Sequence, residues 1–169
     1  MQGAPPKPRT ARKVDAAYLE RAGLYYLERF STSSENFRRV LKRKIDRRCK
    51  LRGESPEQFY PLIAPLVERY QQSGLLDDTR YAEAKVASLR RKGLSKRMIQ
   101  AKLKEKGIES DIIENGIAAD DTSEMDAALN LVRRKKLGKV AEKHNRDLGA
   151  LARAGFSYAI AKRALKEAQ

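Results

Sequence analysis

Apolar residues recur along most of this chain at spacings of three and four, the period of one face of an α-helix. In "VDAAYLERAGLYYLERF" Tyr18, Leu19, Ala22, Tyr26 and Phe30 form one stripe, and in "SENFRRVLKRKIDRRC" Phe37, Val40, Leu41 and Ile45 form another. "RGESPEQFYPLIAPLVERYQQSG" reads as a helix started by Ser55, with Pro56 at its first position, bearing Phe59, Ile63, Leu66, Val67 and Tyr70 and closed by Gly74. Pro61 is cheap near the first turns, whereas the interior Pro65 predicts a kink or a split into two helices. Further helices are predicted near 78–92, 96–106, 110–117, 123–136, 140–153 and 158–167. No useful strand pattern interrupts them, so the expected fold class is all-α, with short connections packing neighbouring helices into small bundles.

A shift of 62 residues superposes "LERFSTSSENFRRVLK" (27–42), "LRRKGLSKRMIQAKLK" (89–104) and "LARAGFSYAIAKRALK" (151–166) without a gap. Five columns are identical in all three copies: Leu27, Leu89, Leu151; Arg29, Arg91, Arg153; Ser33, Ser95, Ser157; Leu41, Leu103, Leu165; and Lys42, Lys104, Lys166. Each copy is expected to be helix, tight turn, helix. The serine caps the second helix, and Gly93 or Gly155 ends the first. In the middle copy Leu94 and Ile99 stand at hydrophobic-staple spacing.

The charge is one-sided: 37 Lys and Arg against 22 Asp and Glu, a net +15 in 169 residues. Basic segments alternate with quieter ones, and residues 110–130 hold six acids and no base. Such a surplus points to a polyanion or an acidic protein surface as partner. The opening "MQGAPPKPRTARK" has no periodic apolar face and reads as a disordered basic tail over 1–12. No stretch is long and apolar enough for a membrane span or a signal peptide, so a cytoplasmic location is expected, with no membrane partner. One cysteine, Cys49, and one histidine, His144, leave no ligand set for structural zinc.

The adjacent carboxylates Asp77 and Asp78 invite a metal or acid/base reading. Their place after Gly74 fits better with Asp77 as helix N-cap and Asp78 in the first turn, where the helix dipole favours an anion. Leu76 and Tyr81 have staple spacing around them. The helix "RRVLKRKIDRRCK" turns Arg39, Lys42, Arg43, Arg47 and Lys50 away from its apolar stripe, with Asp46 the only acid among them. Like charges so placed cost helix stability, and a face kept despite that cost suits phosphates or acidic side chains. Lys92, Lys96, Arg97, Lys102 and Lys104 in the second copy, and Lys162, Arg163 and Lys166 in the third, extend the stripe if the modules stack in line. Tyr18, Tyr26, Phe30, Phe37, Phe59, Tyr70 and Tyr81 read as core; Phe156 and Tyr158, beside a turn, are left open. No phosphate loop, HExxH motif, nucleophile elbow or His-paired nucleophile is present, and neither a catalytic residue, a cofactor nor a metal is expected.

"GLLDDTRYA" followed by "LRRKGLSKRMIQAKLKEKGI" resembles the central signature of the RecX family, bacterial regulators of the RecA recombinase. "YLERFSTSSENFRRVLKRKI" and "LARAGFSYAIAKRAL" are similar to the flanking copies, so the likeness runs from about Tyr18 onward. It implies three tandem three-helix repeats in an elongated, curved right- or left-handed array, with repeats at 13–74, 75–122 and 123–169 and the boundary between the last two left between 122 and 136. It also implies a monomeric, non-catalytic regulator that binds the RecA filament and single- or double-stranded DNA, inhibiting filament extension, strand exchange and ATP hydrolysis. The signature positions Gly74, Asp77, Tyr81, Gly93, Ser95, Leu103 and Gly107 have capping, turn or core explanations and name no contacts. Two departures stand out: "ADDTSEMD" (119–126) interrupts the expected last helix of repeat two, and repeat three lacks room for a third helix after 158–167 unless 123–136 supplies it. The competing reading is a general nucleic-acid-binding helical protein held by phosphate electrostatics.

Overall fold

A computed structural model describes residues 13–140 and 143–167; the expected basic tail lies outside them. Those residues are all-α, without a strand, and the chain divides into two compact units, Met1–Asp77 and Asp78–Gln169.

In the first unit, α1 (Ala16–Leu27) starts at Asp15, whose carboxylate accepts from the Tyr18 N–H at 2.6 Å. α2 (Ser34–Arg52) ends at Gly53, which takes the left-handed φ of 67°. The next segment departs from the single helix predicted there. A 3₁₀ helix over Glu57–Leu62 precedes α3 (Ile63–Gln72), and the predicted split falls at this junction. Pro65 has no N–H for the Pro61 carbonyl and its ring crowds that carbonyl, so the α-helical ladder cannot extend back through it. Leu19, Phe37, Leu41, Ile45, Val67 and Tyr70 form the centre of the core, each worth roughly 1.5–3 kcal/mol of apolar burial.

The second unit holds two clusters. α4 (Asp78–Arg91), α5 (Lys96–Glu105) and α6 (Ser110–Ala118) enclose Tyr81, Ala82, Val86, Ile99, Leu103 and Ile113. α7 (Glu124–Lys135), α8 (His144–Arg153) and α9 (Tyr158–Lys166) enclose Ala127, Leu131, Leu151, Phe156, Ala164 and Leu165. The acidic stretch therefore separates two helices. The second of them, α7, packs on α9 and reaches this cluster from before its partners in the chain.

The repeat is visible atom by atom. Ser33, Ser95 and Ser157 have backbone angles of −76°/157°, −69°/156° and −66°/157°, and each hydroxyl accepts from the N–H three residues on, at 3.2, 3.2 and 3.4 Å. Leu41, Leu103 and Leu165 are buried in their respective cores. Gly93 and Gly155 close the preceding helices with φ of 78° and 95°, whereas Ser31 in the first copy needs no positive φ.

Arg90 joins the two clusters of the second unit. Its side chain is 1% exposed, four residues after Val86 on the buried face of α4. Nε donates to Asp120 at 3.2 Å, Nη1 to Glu124 at 2.6 Å and to the Leu94 carbonyl at 3.0 Å, and Nη2 to the Thr122 carbonyl. Glu124 also accepts the Lys96 N–H at 3.0 Å, so one carboxylate serves the buried cation and the start of α5. Ser95 N–H donates to the Ala154 carbonyl at 3.0 Å, bringing the turn of the second copy against that of the third.

Candidate binding surfaces

The cores leave the long cationic side chains outward. On α2, Arg39, Lys42, Arg43, Arg47 and Lys50 are all exposed, as a 3.6-residue period requires when Phe37, Leu41 and Ile45 point inward. Arg39 pairs with Glu35 at 3.0 Å. Asp46, the acid within this face, accepts the Tyr60 hydroxyl at 2.7 Å, and Lys42 Nζ lies 4.7 Å from the Tyr60 ring centre. Tyr60 thus fixes the position of the acid within this face.

The hydrogen bond to Asp46, followed by burial, pushes the Tyr60 phenol up to about 12. Because the folded value lies above the ordinary 10.0, its contribution to stability is complete below about pH 10 and is lost as pH rises through about 12. An alkaline absorbance titration should show Tyr60 ionising late, and Asp46→Asn should bring it earlier while leaving Tyr70, whose phenol is pushed up by burial, where it was; an unchanged titration would count against the bond.

In the second unit, Lys92, Arg97, Lys102 and Lys104 are exposed and Lys96 is half-buried. They do not make one face. Arg97 and Lys104, seven residues apart, share a side of α5. Lys102 instead lines a groove of about 290 Å³ with Tyr81, Lys85, Leu89 and Leu103. On α9, Lys162, Arg163 and Lys166 are exposed within about 100° of arc, and Arg163 pairs with Glu167 at 3.1 Å.

Sequence reasoning passed over a further cluster. Arg133, Arg134 and Lys135 end α7 and Lys136 caps it, all exposed, with Lys139 close behind. Arg133, Lys136 and Lys139 line a cavity of about 430 Å³ with Leu129, Val132, Leu137 and Glu167. Four consecutive basic residues, three in the helix's last turn and Lys136 as its C-cap, were a readable signal. The aromatic assignments also change. Phe30 is 54% exposed, because it lies beyond the end of α1, where the helical period no longer places it inward. Phe156 is core and Tyr158 is 68% exposed. Among the motif residues, Tyr81, Gly93, Ser95 and Leu103 are buried, Gly74 and Gly107 have positive φ, and Asp77 immediately precedes α4.

Fold and surface together define a basic, all-α repeat protein whose distinctive chemistry is exposed cations carried on capped helix pairs. Residues 77–117 match the model of the RecX family's second three-helix domain. The chain is similar to regulatory protein RecX of Myxococcus xanthus (strain DK1622), 39% identical over 167 residues, covering 94% of this chain and 89% of that one. It is also similar to regulatory protein RecX of Mycobacterium sp. (strain JLS), 33% identical over 135 residues, covering 73% and 74%. This chain belongs to the RecX family of regulatory proteins. Its fold is similar to that of RecX from Lactobacillus salivarius, with a TM-score of 0.57 at 23% identity over 90% of this chain and 96% of that one. A second RecX crystal structure gives 0.61 at 20% identity, over 90% and 71%. Among the described residues, no helix is long and apolar enough to cross a membrane.

Proposed function

We propose that this protein is a non-catalytic cytoplasmic regulator that binds the RecA nucleoprotein filament and restrains its extension, strand exchange and ATP hydrolysis, modulating homologous recombination and DNA repair. The observation that carries the reading, given the family, is the repeat column Lys42, Lys104 and Lys166. The same cation is exposed at the same place in all three copies, where packing makes no demand for it. A repeated cation on a repeated helix pair suits a partner that is itself repetitive and anionic, as a filament on single-stranded DNA is.

The +15 charge favours a second reading, a general nucleic-acid binder held by phosphates alone. Binding to bare and RecA-coated single strands at moderate salt separates the two. A clear preference for coated strands, with inhibition of RecA ATP hydrolysis, is expected. Equal binding would overturn the filament reading. Arg39, Lys42, Arg43 and Arg47 changed together to Gln should leave the melting temperature within a few degrees and weaken filament binding by roughly ten-fold or more. Undiminished inhibition of RecA would remove the α2 face from the site.

A further inference from the structure

At the C-terminal end of α1 the first unit exposes two rings, Tyr25 at 58% and Phe30 at 54%. The Arg29 guanidinium lies 3.6 Å from the Tyr25 ring centre and donates to the Tyr25 carbonyl at 2.8 Å, so the cation is held against the ring. Phe30 leans on Tyr26, their centres 4.9 Å apart, and Tyr26 in turn meets the core residue Phe37 at 6.2 Å. The rings are therefore backed by ordered structure while much of their surface meets water.

Packing does not require them. In the columns of the internal repeat, Tyr25 corresponds to Ala87 and Gly149, and Phe30 to Lys92 and Ala154, whereas Arg29 corresponds to Arg91 and Arg153. A helix precedes the turn in all three copies, with α1 stopping at Leu27, two columns before the ends of α4 and α8, and in the other two copies these columns fold with alanine, glycine or lysine.

We infer that this ledge stacks unpaired nucleobases of a single-stranded nucleic acid on Tyr25 and Phe30. Exposed rings beside a fixed planar cation are the components of a sequence-tolerant base platform. Charge complementarity favours this occupant, because α2 of the same unit carries nine Lys and Arg, five of them on the exposed face described above, to meet the phosphates. Glu28, 3.5 Å from Arg29, disfavours a phosphate at the ledge itself and leaves the ring faces as its recognition element. The inference stands apart from the RecA reading, since it predicts binding to bare strands.

The test titrates the full chain, Tyr25→Ala/Phe30→Ala and Tyr25→Leu/Phe30→Leu with a dT oligonucleotide and with an abasic oligonucleotide of equal phosphate number. Both double variants should bind the dT strand about ten-fold or more weakly, bind the abasic strand as the unaltered chain does, and keep its salt dependence. The leucine variant preserves apolar cover without stacking faces and decides the matter if the alanine variant folds poorly. Equal losses on both strands, or no loss on dT, would overturn the proposal. So would unchanged dT binding with weakened binding to RecA-coated strands, which would make the ledge a protein contact. Failure of the RecA reading alone would leave the dT-against-abasic difference intact.

Discussion

Arg90→Met should destabilise the Asp78–Gln169 unit by about 3 kcal/mol or more, because removing one partner of a buried ionic cluster strands the others. Asp120 and Glu124 lose their cation, and the Leu94 and Thr122 carbonyls lose a donor. The two carboxylates are 13% and 33% exposed, so partial hydration keeps the loss from the upper end of the range. Arg90→Lys should recover little, since one ammonium cannot reach four acceptors arranged for a planar fork. Arg90→Met with Asp120→Asn and Glu124→Gln should be more stable than Arg90→Met alone, because no uncompensated carboxylate remains. Denaturant melts followed by circular dichroism measure all three. A loss below about 1 kcal/mol for Arg90→Met would show that the cluster contributes little net stability.

Gly93→Ala is expected to be the other severe change. A Cβ there would lie 2.6 Å from the Leu131 N and Cβ and 2.7 Å from its Cα, and the residue would have to hold φ of 78°. The left-handed conformation costs an alanine about 1 kcal/mol. Forcing α7 outward should add roughly 1–3 kcal/mol through lost packing around Leu131. Gly53→Ala is the control, with φ of 67° and nothing within 4 Å of the added carbon, so it should show the conformational cost alone. If both substitutions cost the same, the close approach of α4's end to α7 carries no weight. A kinetic refinement follows from the burial of Leu131: Gly93→Ala should mainly speed unfolding if α7 docks after the transition state.

How much of this was legible in the sequence varies with the kind of interaction. The helices were, because each has an apolar period that local geometry translates directly into a buried face. The repeat's serine caps, Ser33, Ser95 and Ser157, were also legible, since capping needs only a residue and the N–H three positions on, whereas Ser55 caps no helix and its hydroxyl donates to Glu57 instead. Phe30 was misplaced because periodicity was extended past a helix end, and the 3₁₀ segment because two prolines act together on one ladder. Arg90 left a trace that went unread. Ala82, Val86 and Arg90 fall on one stripe, which puts a cation at a core position, and the acids of 110–130, a run without a base, were there to receive it. Exposed cations were recognisable singly. Within α5 the period already sets Arg97 and Lys102 about 140° apart, but the groove that Lys102 lines with Tyr81 and Leu89 was not legible, since it exists only once α4 is packed against α5.

The chain order of α7 has a consequence for synthesis. A ribosome releases α7 before α8 and α9, and at about 5–20 residues per second the roughly thirty residues from the end of α7 to the end of α9 take about 2 to 6 seconds. During that interval Ala127, Ala128, Leu131 and Val132 lack the helices that will cover them. Gly93 and the Arg90 cluster are already made and give the nascent helix somewhere to rest. The contacts that join two bundles in the finished unit can thus serve first as a holding place, shielding an apolar stripe from association until its permanent partners emerge.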